Sequence, residues 1–333
     1  MQLGFACEKP KERGTITLVG IAEFGKGGPD VDTINERMVK LLTELTIGEG
    51  MRPTVIDGVD LMRTDRYTPL TPVLYEPSVV VVAQGRKTGY VGERVYRYDP
   101  NNYLVLTVPL PFECEIEATP DYPMLGVSIR ADLSILSELM MSMDRPLPPG
   151  APTPMGICAT PLDRPLGEAV VRLLEHLTRP EAAHILGPQT VREITYHVLC
   201  GDQGTALQAA LTMHGHFSQI SRALHRIHAE YAQPLEVKAL ADEAHMSLSV
   251  FHRRFKGITS TPPLQYLKAV RLHKARMLMV QDRVNAGEAA HQVGYESASQ
   301  FSREFKRLFG RSPSEEAAQV RQTLSKPLAA QAK

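Results

Sequence analysis

The stretch SASQFSREFK, Ser297–Lys306, repeats SLSVFHRRFK, Ser247–Lys256, fifty residues downstream, with six of ten positions identical. Wound as a helix, the first copy places Phe251, Phe255 and Ile258 at i, i+4 and i+7 on one apolar face. Ser249, His252, Arg253 and Lys256 fall on another. The second copy repeats both faces, with Phe301, Phe305 and Leu308 inward and Ser299, Ser302, Arg303 and Lys306 outward. A single helix of this kind is an ordinary bundle helix with solvated cations. Two at a fixed interval need a further account.

Each copy follows a short helical segment and a tight break, LEVKALADEAHMS before the first and AGEAAHQVGYES before the second. Small residues ahead of the break, Ala241 and Ala244 in one, Ala289 and Ala290 in the other, let two helices cross closely. Gly294 can supply a left-handed turn residue. Helix, short turn and polar second helix make a helix-turn-helix, over about 237–257 and again over 287–308. Such a second helix fits the major groove, where Arg can bond guanine bidentately and Ser, Gln and His can bond other base edges. Lys256 and Lys306 at the helix ends, with Arg254 and Arg307 beside them, suit phosphate.

Between the copies runs PPLQYLKAVRLHKARMLMVQ, Pro262–Gln281. Pro263 suits a first helical turn, and Leu264, Leu267, Val270 and Leu278 give an inward stripe. Some 18 helical residues span about 27 Å, near the roughly 34 Å between successive major-groove faces on one side of B-DNA. The connector is therefore expected to be a rigid spacer between two reading helices. Charge agrees. The chain is neutral overall, yet from residue 221 onward 18 Lys and Arg stand against 10 Asp and Glu, and the remainder carries 19 against 27. A basic third on an acidic remainder points to one part that meets a polyanion.

The pattern resembles the AraC/XylS family of bacterial transcription regulators over about Phe217 to Ala317, through both helix-turn-helix units, RLHKARMLM in the linking helix and the closing GYESASQFSREFKRLFGRSPSE. By position, the resemblance implies base-reading roles for Ser249, His252 and Arg253 and for Ser299, Gln300 and Arg303. It implies double-stranded promoter DNA as a partner, with RNA polymerase as a further one.

The N-terminal half has a different texture. PSVVVVAQG, KTGYVGERVYRYD, NYLVLTVPL and FECEIEATP are short, β-branched and aromatic, and are broken by turn residues. KTGYVGERVYRYD is expected to be a hairpin with Gly92 near its turn. Such strands suggest a cupin-like barrel, a fold that hosts both enzymes and ligand-binding modules. The first histidine is His176, so an imidazole-ligated metal centre inside that barrel is excluded by composition. Glu113, Glu115 and Glu117 alternate along one strand and are expected on a solvated face, while His214-Gly215-His216 suits a cap or linker better than a metal site. The segment from TPVLYEPSVVVVAQGRK to GVSIR also resembles the N-terminal, signal-receiving domain of one AraC subgroup. Members of this broader kind are linked to aldehyde or other small-molecule signals. Cys114, in phase with Phe112 and Ile116, is expected to face the barrel interior. It is the candidate effector-sensing residue, weighed against a plain role as a small core hydrophobe.

The expected fold is thus α+β in two domains, a cupin-like barrel with helices followed by an all-α domain with two helix-turn-helix motifs. The boundaries are a poorly ordered extension at 1–30, a sensor domain at 31–150, a helical linker or dimerisation region at 151–216, the DNA-binding domain at 217–317 and a tail at 318–333. MDRPLPPGAPTP, Met143–Pro154, is a proline-dense connector. No apolar run approaches the roughly 18 residues of a membrane span, and Met1–Arg13 lacks the pattern of a signal peptide. The expectation is a cytoplasmic protein with free thiols at Cys7, Cys114, Cys158 and Cys200. It requires no cofactor or metal, takes a small-molecule effector and forms a homodimer. The competing classes are a cupin-type enzyme with a DNA-binding tail, disfavoured by the missing barrel histidines and the lack of a nucleophile–base set, and a ligand-independent DNA binder.

Overall fold

The computed structural model describes residues 17–18, 29–92, 94–143, 156–201, 204 and 216–325. In the N-terminal half, helix α1 (Pro29–Leu45) precedes β2 (Gly50–Pro53), β3 (Val59–Thr64), β4 (Thr68–Tyr75), β5 (Ser78–Gln84), β6 (Arg86–Val91), β7 (Arg94–Tyr98), β8 (Asn102–Leu106), β9 (Leu110–Glu117) and β10 (Met124–Arg130). Helix α2 (Leu133–Met143), strand β11 (Ile157–Pro161), and helices α3 (Arg164–Leu177) and α4 (Pro180–Cys200) complete it. A short strand β1 (Thr17–Leu18) pairs in parallel with β7.

The strands form two sheets, one in the order β1-β7-β6-β9-β4 and the other β11-β8-β5-β10-β3-β2. Val80, Val82, Leu104, Leu106 and Met124 of the second sheet face Val91, Tyr96, Tyr98, Phe112 and Cys114 of the first, and this layer is the barrel interior. The opposite face of the second sheet, with Val79, Val81, Val105, Val127 and Ile129, lies under α1, α3 and α4. Strand β5 is therefore buried on both faces, which is why it is written as the unbroken apolar run SVVVVA rather than as an alternation. Helix α1 docks by Ile34, Met38 and Leu42 and is tied to α3 by Arg37, whose Nη1 and Nη2 meet Glu168 at 2.9 Å and Glu175 at 3.1 Å.

The C-terminal half is helical: α5 (His216–Glu230), α6 (Val237–Glu243), α7 (Leu248–Thr259), α8 (Pro263–Gln281), α9 (Ala286–Gln292), α10 (Ala298–Phe309) and α11 (Pro313–Ser325). Its two halves have separate cores. Phe251, Phe255, Ile258, Tyr266, Leu267 and Val270 form one that is continuous with the barrel interior. Leu272, Ala275, Met279, Phe301, Phe305 and Phe309 form the other. Helix α8 thus serves two cores in succession, its first half one and its second half the other. The single stripe expected for it fails on that account: Leu264 is 47% exposed, and Tyr266, Leu272, His273 and Met279 are buried instead.

Other departures have similar causes. Strand β11 pairs with β8, so the barrel continues past residue 150. Helices α3 and α4 pack on the barrel's own sheet rather than forming a link between domains. The link is made by α7 and α8 against the barrel. Tyr266 donates its hydroxyl proton to the Pro109 carbonyl at 2.6 Å, and Gly156 N–H donates to the Ile258 carbonyl at 3.0 Å. Residues expected in the tail from 318 are helical to Ser325, and Arg321 donates to the Met279 carbonyl. The extension at 1–30 apart from β1 and the start of α1, the connector at 144–155, Cys7, His214 and Gly215, and residues 326–333 lie outside the described residues. Among the described residues no helix is long and apolar enough to cross a membrane. Cys114 and Cys158 are thiols that form no disulfide.

Candidate nucleic-acid interface

Helices α6 and α7 are joined by a turn in which His245 takes a left-handed φ of 52° and Met246 N–H bonds the Ala241 carbonyl at 3.0 Å. Ala241 and Ala244 are buried at the crossing. In the second unit Gly294 holds the equivalent place at φ 83°, and Tyr295 N–H bonds the Ala290 carbonyl at 2.9 Å. The match here is between His245 and Gly294, whereas the following helices match Ser247 with Ser297. Glu296 is the additional residue in the second turn, so the repeat interval changes by one inside the motif. A Cβ on Gly294 would lie 2.3 Å from the Ala232 carbonyl oxygen, so both the backbone angle and the space require glycine there.

The second helices are positioned by their phenylalanines. Phe251 and Phe255 are fully buried with ring centroids 5.6 Å apart, and Tyr266 meets Phe255 edge-on at 5.4 Å. Phe301 and Phe305 repeat this at 5.4 Å. The third inward residue of the second copy is Phe309, 4.4 Å from Phe305, while Leu308 is half-buried and faces the barrel. Both helices end on a left-handed residue, Ser260 at φ 57° and Gly310 at φ 77°. Ser297 caps the second by accepting from Gln300 N–H at 3.2 Å.

With these faces turned in, Ser249, His252, Arg253, Ser299, Gln300 and Arg303 are all exposed, as are Lys256, Lys306 and Arg307. Arg254 differs: it is half-buried. Arg307 lines a cleft of about 440 Å³ between the barrel and the second unit, together with Tyr90, Glu113, Lys268, Leu272 and Glu304. Gln300 Nε2 donates to Glu304 Oε1 at 3.2 Å, which leaves the amide oxygen of Gln300 as an outward acceptor.

Three contacts absent from the sequence reading fix the spacer. Arg271, in the middle of α8, donates to the carbonyls of Tyr231 at 2.6 Å and Gln233 at 2.9 Å, beside the first unit, and of Gly294 at 3.1 Å, in the turn of the second. Burial draws its guanidinium below the usual range, but arginine remains charged. Lys268 meets Glu304 at 2.6 Å. Burial opposes the charge of Glu304, and the bonds from Lys268, Tyr295 and Gln300 outweigh it and hold the carboxyl below its ordinary range. Arg276 pairs with the buried Glu316 at 2.7 Å, tying α8 to α11. The sequence signals for Arg271 are its place at the head of the family-like RLHKARMLM and a cation in the middle of a helix that must bury most of its girth. The 19 residues of α8 span about 28 Å.

In the barrel, Cys114 is buried and faces the interior, its sulfur 3.5 Å from the Tyr98 hydroxyl. Glu115 and Glu117 face outward, where Tyr67 and Tyr90 donate to Glu115 and Arg86 pairs with Glu117. Lys87, which sequence reasoning passed over, is buried in the same interior layer and donates to the Tyr75 hydroxyl at 2.7 Å. Its only sequence signal is a charge at an inward position of an alternating strand.

Comparison with known proteins agrees with this division. The family described as AraC-type transcriptional regulator N-terminus matches residues 55–206, and a helix-turn-helix domain family matches 240–319. The HTH-type transcriptional regulator AlkR of Acinetobacter baylyi is 41% identical over 95 residues, which are 28% of this chain and 31% of AlkR. The HTH-type transcriptional activator RhaS of Escherichia coli is 28% identical over 147 residues, covering 44% of this chain and 52% of RhaS. The chain thus spans between about a third and a half of the length of these curated relatives. ToxT from Vibrio cholerae, solved bound to (E)-4-(8-methylnaphthalen-1-yl)but-3-enoic acid, shares the fold with a TM-score of 0.55 at 13% identity, over 79% of this chain and 98% of ToxT.

Proposed function

The chain belongs to the AraC-type transcriptional regulators, and from that premise we propose that it binds promoter DNA through α7 and α10 and responds to a small molecule received by its barrel. The observation that carries this reading is the pair of exposed polar faces, Ser249, His252 and Arg253 on one helix and Ser299, Gln300 and Arg303 on the other, held at the two ends of one braced spacer. In this reading Arg253 and Arg303 contact guanine edges, and the outward amide oxygen of Gln300 accepts from an adenine or cytosine amino group. Lys256, Lys306, Arg254 and Arg307 contact phosphate, Arg254 after release from its half-buried position.

The barrel controls the first reading helix most directly, because Ile258 and Tyr266 are bonded to it and their core is continuous with its interior. The second unit meets the barrel across the 440 Å³ cleft. An effector in the barrel therefore acts on two reading heads that are coupled to it unequally. Cys114 lines the interior and is the thiol an electrophilic effector such as an aldehyde would meet there. An unchanged reporter response to inducer in Cys114→Ser would remove that role. The protein acts in the cytoplasm without catalysing a reaction, as a homodimer that contacts RNA polymerase at the promoter.

Genome-wide footprinting of the full-length protein, followed by gel shifts on the recovered site, tests this. Sequence-specific protection that weakens steeply with salt supports it. A flat salt dependence, or equal affinity for all duplexes, would remove the reading. The full chain is needed because the core of the first unit extends into the barrel.

A further inference from the structure

Helix α10 carries a single acidic residue, Glu304, beside the cations Arg303, Lys306 and Arg307. A carboxylate on a helix that approaches phosphates works against binding, so its place there calls for an account. The side chain is 13% exposed and gathers three donors. Lys268 Nζ donates to Oε1 at 2.6 Å, Tyr295 donates its hydroxyl proton to Oε2 at 2.8 Å, and Gln300 Nε2 donates to Oε1 at 3.2 Å. Burial opposes the charge of Glu304, and these bonds outweigh it, so the carboxyl is ionised. Lys268 reaches it from the spacer α8 and Tyr295 from the turn, which fixes the carboxylate from two sides.

The first reading helix is built without this cluster. Within the repeat, Gln300 and Glu304 correspond to Val250 and Arg254, and Tyr295, next after the left-handed turn residue, corresponds to Met246. The framework does repeat, Phe251 with Phe301, Phe255 with Phe305, Arg253 with Arg303 and Lys256 with Lys306. A helix-turn-helix therefore forms without the cluster, and what the cluster adds belongs to the second helix alone.

Gln300 lies in the first turn of α10, where its N–H meets the capping Ser297 Oγ at 3.2 Å. Residues of that turn contact base edges in a helix-turn-helix. A free glutamine is ambiguous there, because its amide can turn over and present either an acceptor or two donors. It can then serve the amino groups of adenine and cytosine or the carbonyls of guanine and thymine. An ionised carboxylate has no proton to give, so the amide that meets Glu304 turns its nitrogen inward and its oxygen outward.

We propose that Glu304 is a positioning residue that sets base preference: it holds the Gln300 amide in one orientation, so that the second reading helix takes adenine or cytosine and rejects guanine or thymine at one operator position. The inference rests on the reading that α10 enters the major groove, and it adds the residue that decides what is read there.

The test is in vitro selection by the full-length protein on a fully randomised duplex library, followed by affinity measurements on the four base variants of the recovered site. The position read by Gln300 is the one whose preference disappears in Gln300→Ala. There the parent should favour adenine or cytosine over guanine and thymine by roughly tenfold. Glu304→Gln keeps the shape but can donate to Gln300 as well as accept from it. It should bring the four bases to within about threefold and leave the preferences at other positions intact. Added to Gln300→Ala, it should change nothing further at that position, as expected of two residues acting as one. Should Glu304→Gln not fold, Lys268→Met and Tyr295→Phe, which loosen the carboxylate without removing it, are read in the same way. No position that depends on Gln300, a parent preference for guanine or thymine there, or an undiminished preference in the variants would overturn the inference. So would a loss of affinity equal on all four bases, which is what a merely structural carboxylate gives. Failure of the parent to enrich any sequence would remove the regulator reading and this inference with it. Enrichment by the parent with a preference that ignores Glu304 removes this inference alone.

Discussion

Replacing Arg271 by alanine should uncouple the two reading heads. Its guanidinium donates to three carbonyls, two beside the first unit and one in the turn of the second, at 2.6, 2.9 and 3.1 Å. A hydrogen bond from a charged donor contributes about 1.5–3 kcal/mol where it is fully buried. Arg271 is only half-buried, so water can take up the freed carbonyls, and the three bonds together should contribute about 2–3 kcal/mol. Urea denaturation of Arg271→Ala should show a loss of that size. Arg271→Lys should recover less than half of it, because one ammonium cannot reach three carbonyls held by a planar fork. The functional consequence is read on DNA. One base pair inserted between the two half-sites displaces them by about 3.4 Å and rotates them by roughly 35°. The parent protein should bind the lengthened site poorly, and Arg271→Ala should lose much less affinity on the same insertion. Unchanged denaturation together with the same insertion penalty would refute the bracing role.

Gly294→Ala should destabilise the protein by at least about 2 kcal/mol, since it combines a left-handed backbone with a contact 2.3 Å from the Ala232 carbonyl oxygen; thermal denaturation measures it, and a neutral result would mean the turn can be rebuilt. Burial lowers His273 to about 3 and His228 to about 4, with Arg276 adding to the first and Lys274 and His225 to the second. Both folded values lie below the unfolded value of about 6.5, so the unfolded chain takes up protons first. Their contribution is complete above about pH 6.5 and is lost as pH falls toward 4 for His228 and 3 for His273, at about 1.4 kcal/mol per pH unit for each group. Urea midpoints at pH 7 and pH 5 check this, and His228→Gln should flatten the slope. Tyr266→Phe removes the donor to the Pro109 carbonyl and the partner of His228 Nε2 at 2.7 Å. It should cost about 1–3 kcal/mol and loosen the barrel from the first unit, which hydrogen exchange at α7 would register.

Much of the candidate interface was legible because a helix repeats its faces locally. Phe251, Phe255, Phe301 and Phe305 fall inward and Ser249, His252, Arg253, Ser299 and Arg303 outward by periodicity, whereas Gln300 came only from the family resemblance. Gly92 and Gly294 were legible because a tight turn needs a left-handed residue, and both have positive φ. Leu264 was misread because α8 packs against two cores and periodicity assumes one. Strand β11, beyond the expected boundary at 150, was not legible for a similar reason: it finds its partner β8 about fifty residues earlier in the chain, which no local pattern announces. His245 took a turn position that sequence rules give to glycine. Cys114 was placed inward by alternation, and the same rule applied to Lys87 would have exposed a buried cation. What alternation could not supply was its company, because Tyr75 and Tyr98 reach Lys87 from other strands.

The most direct test of the account is hydroxyl-radical footprinting of the full-length protein on its own operator, with Arg253→Ala and Arg303→Ala alongside. Two protected major-groove segments should appear about one helical turn, some 10 base pairs, apart. Each substitution should weaken protection of one segment only, at a cost of about 1–3 kcal/mol on the specific site and little on unrelated DNA. A single protected segment, or losses that are the same on every sequence, would contradict the claim that this chain reads DNA with two helices.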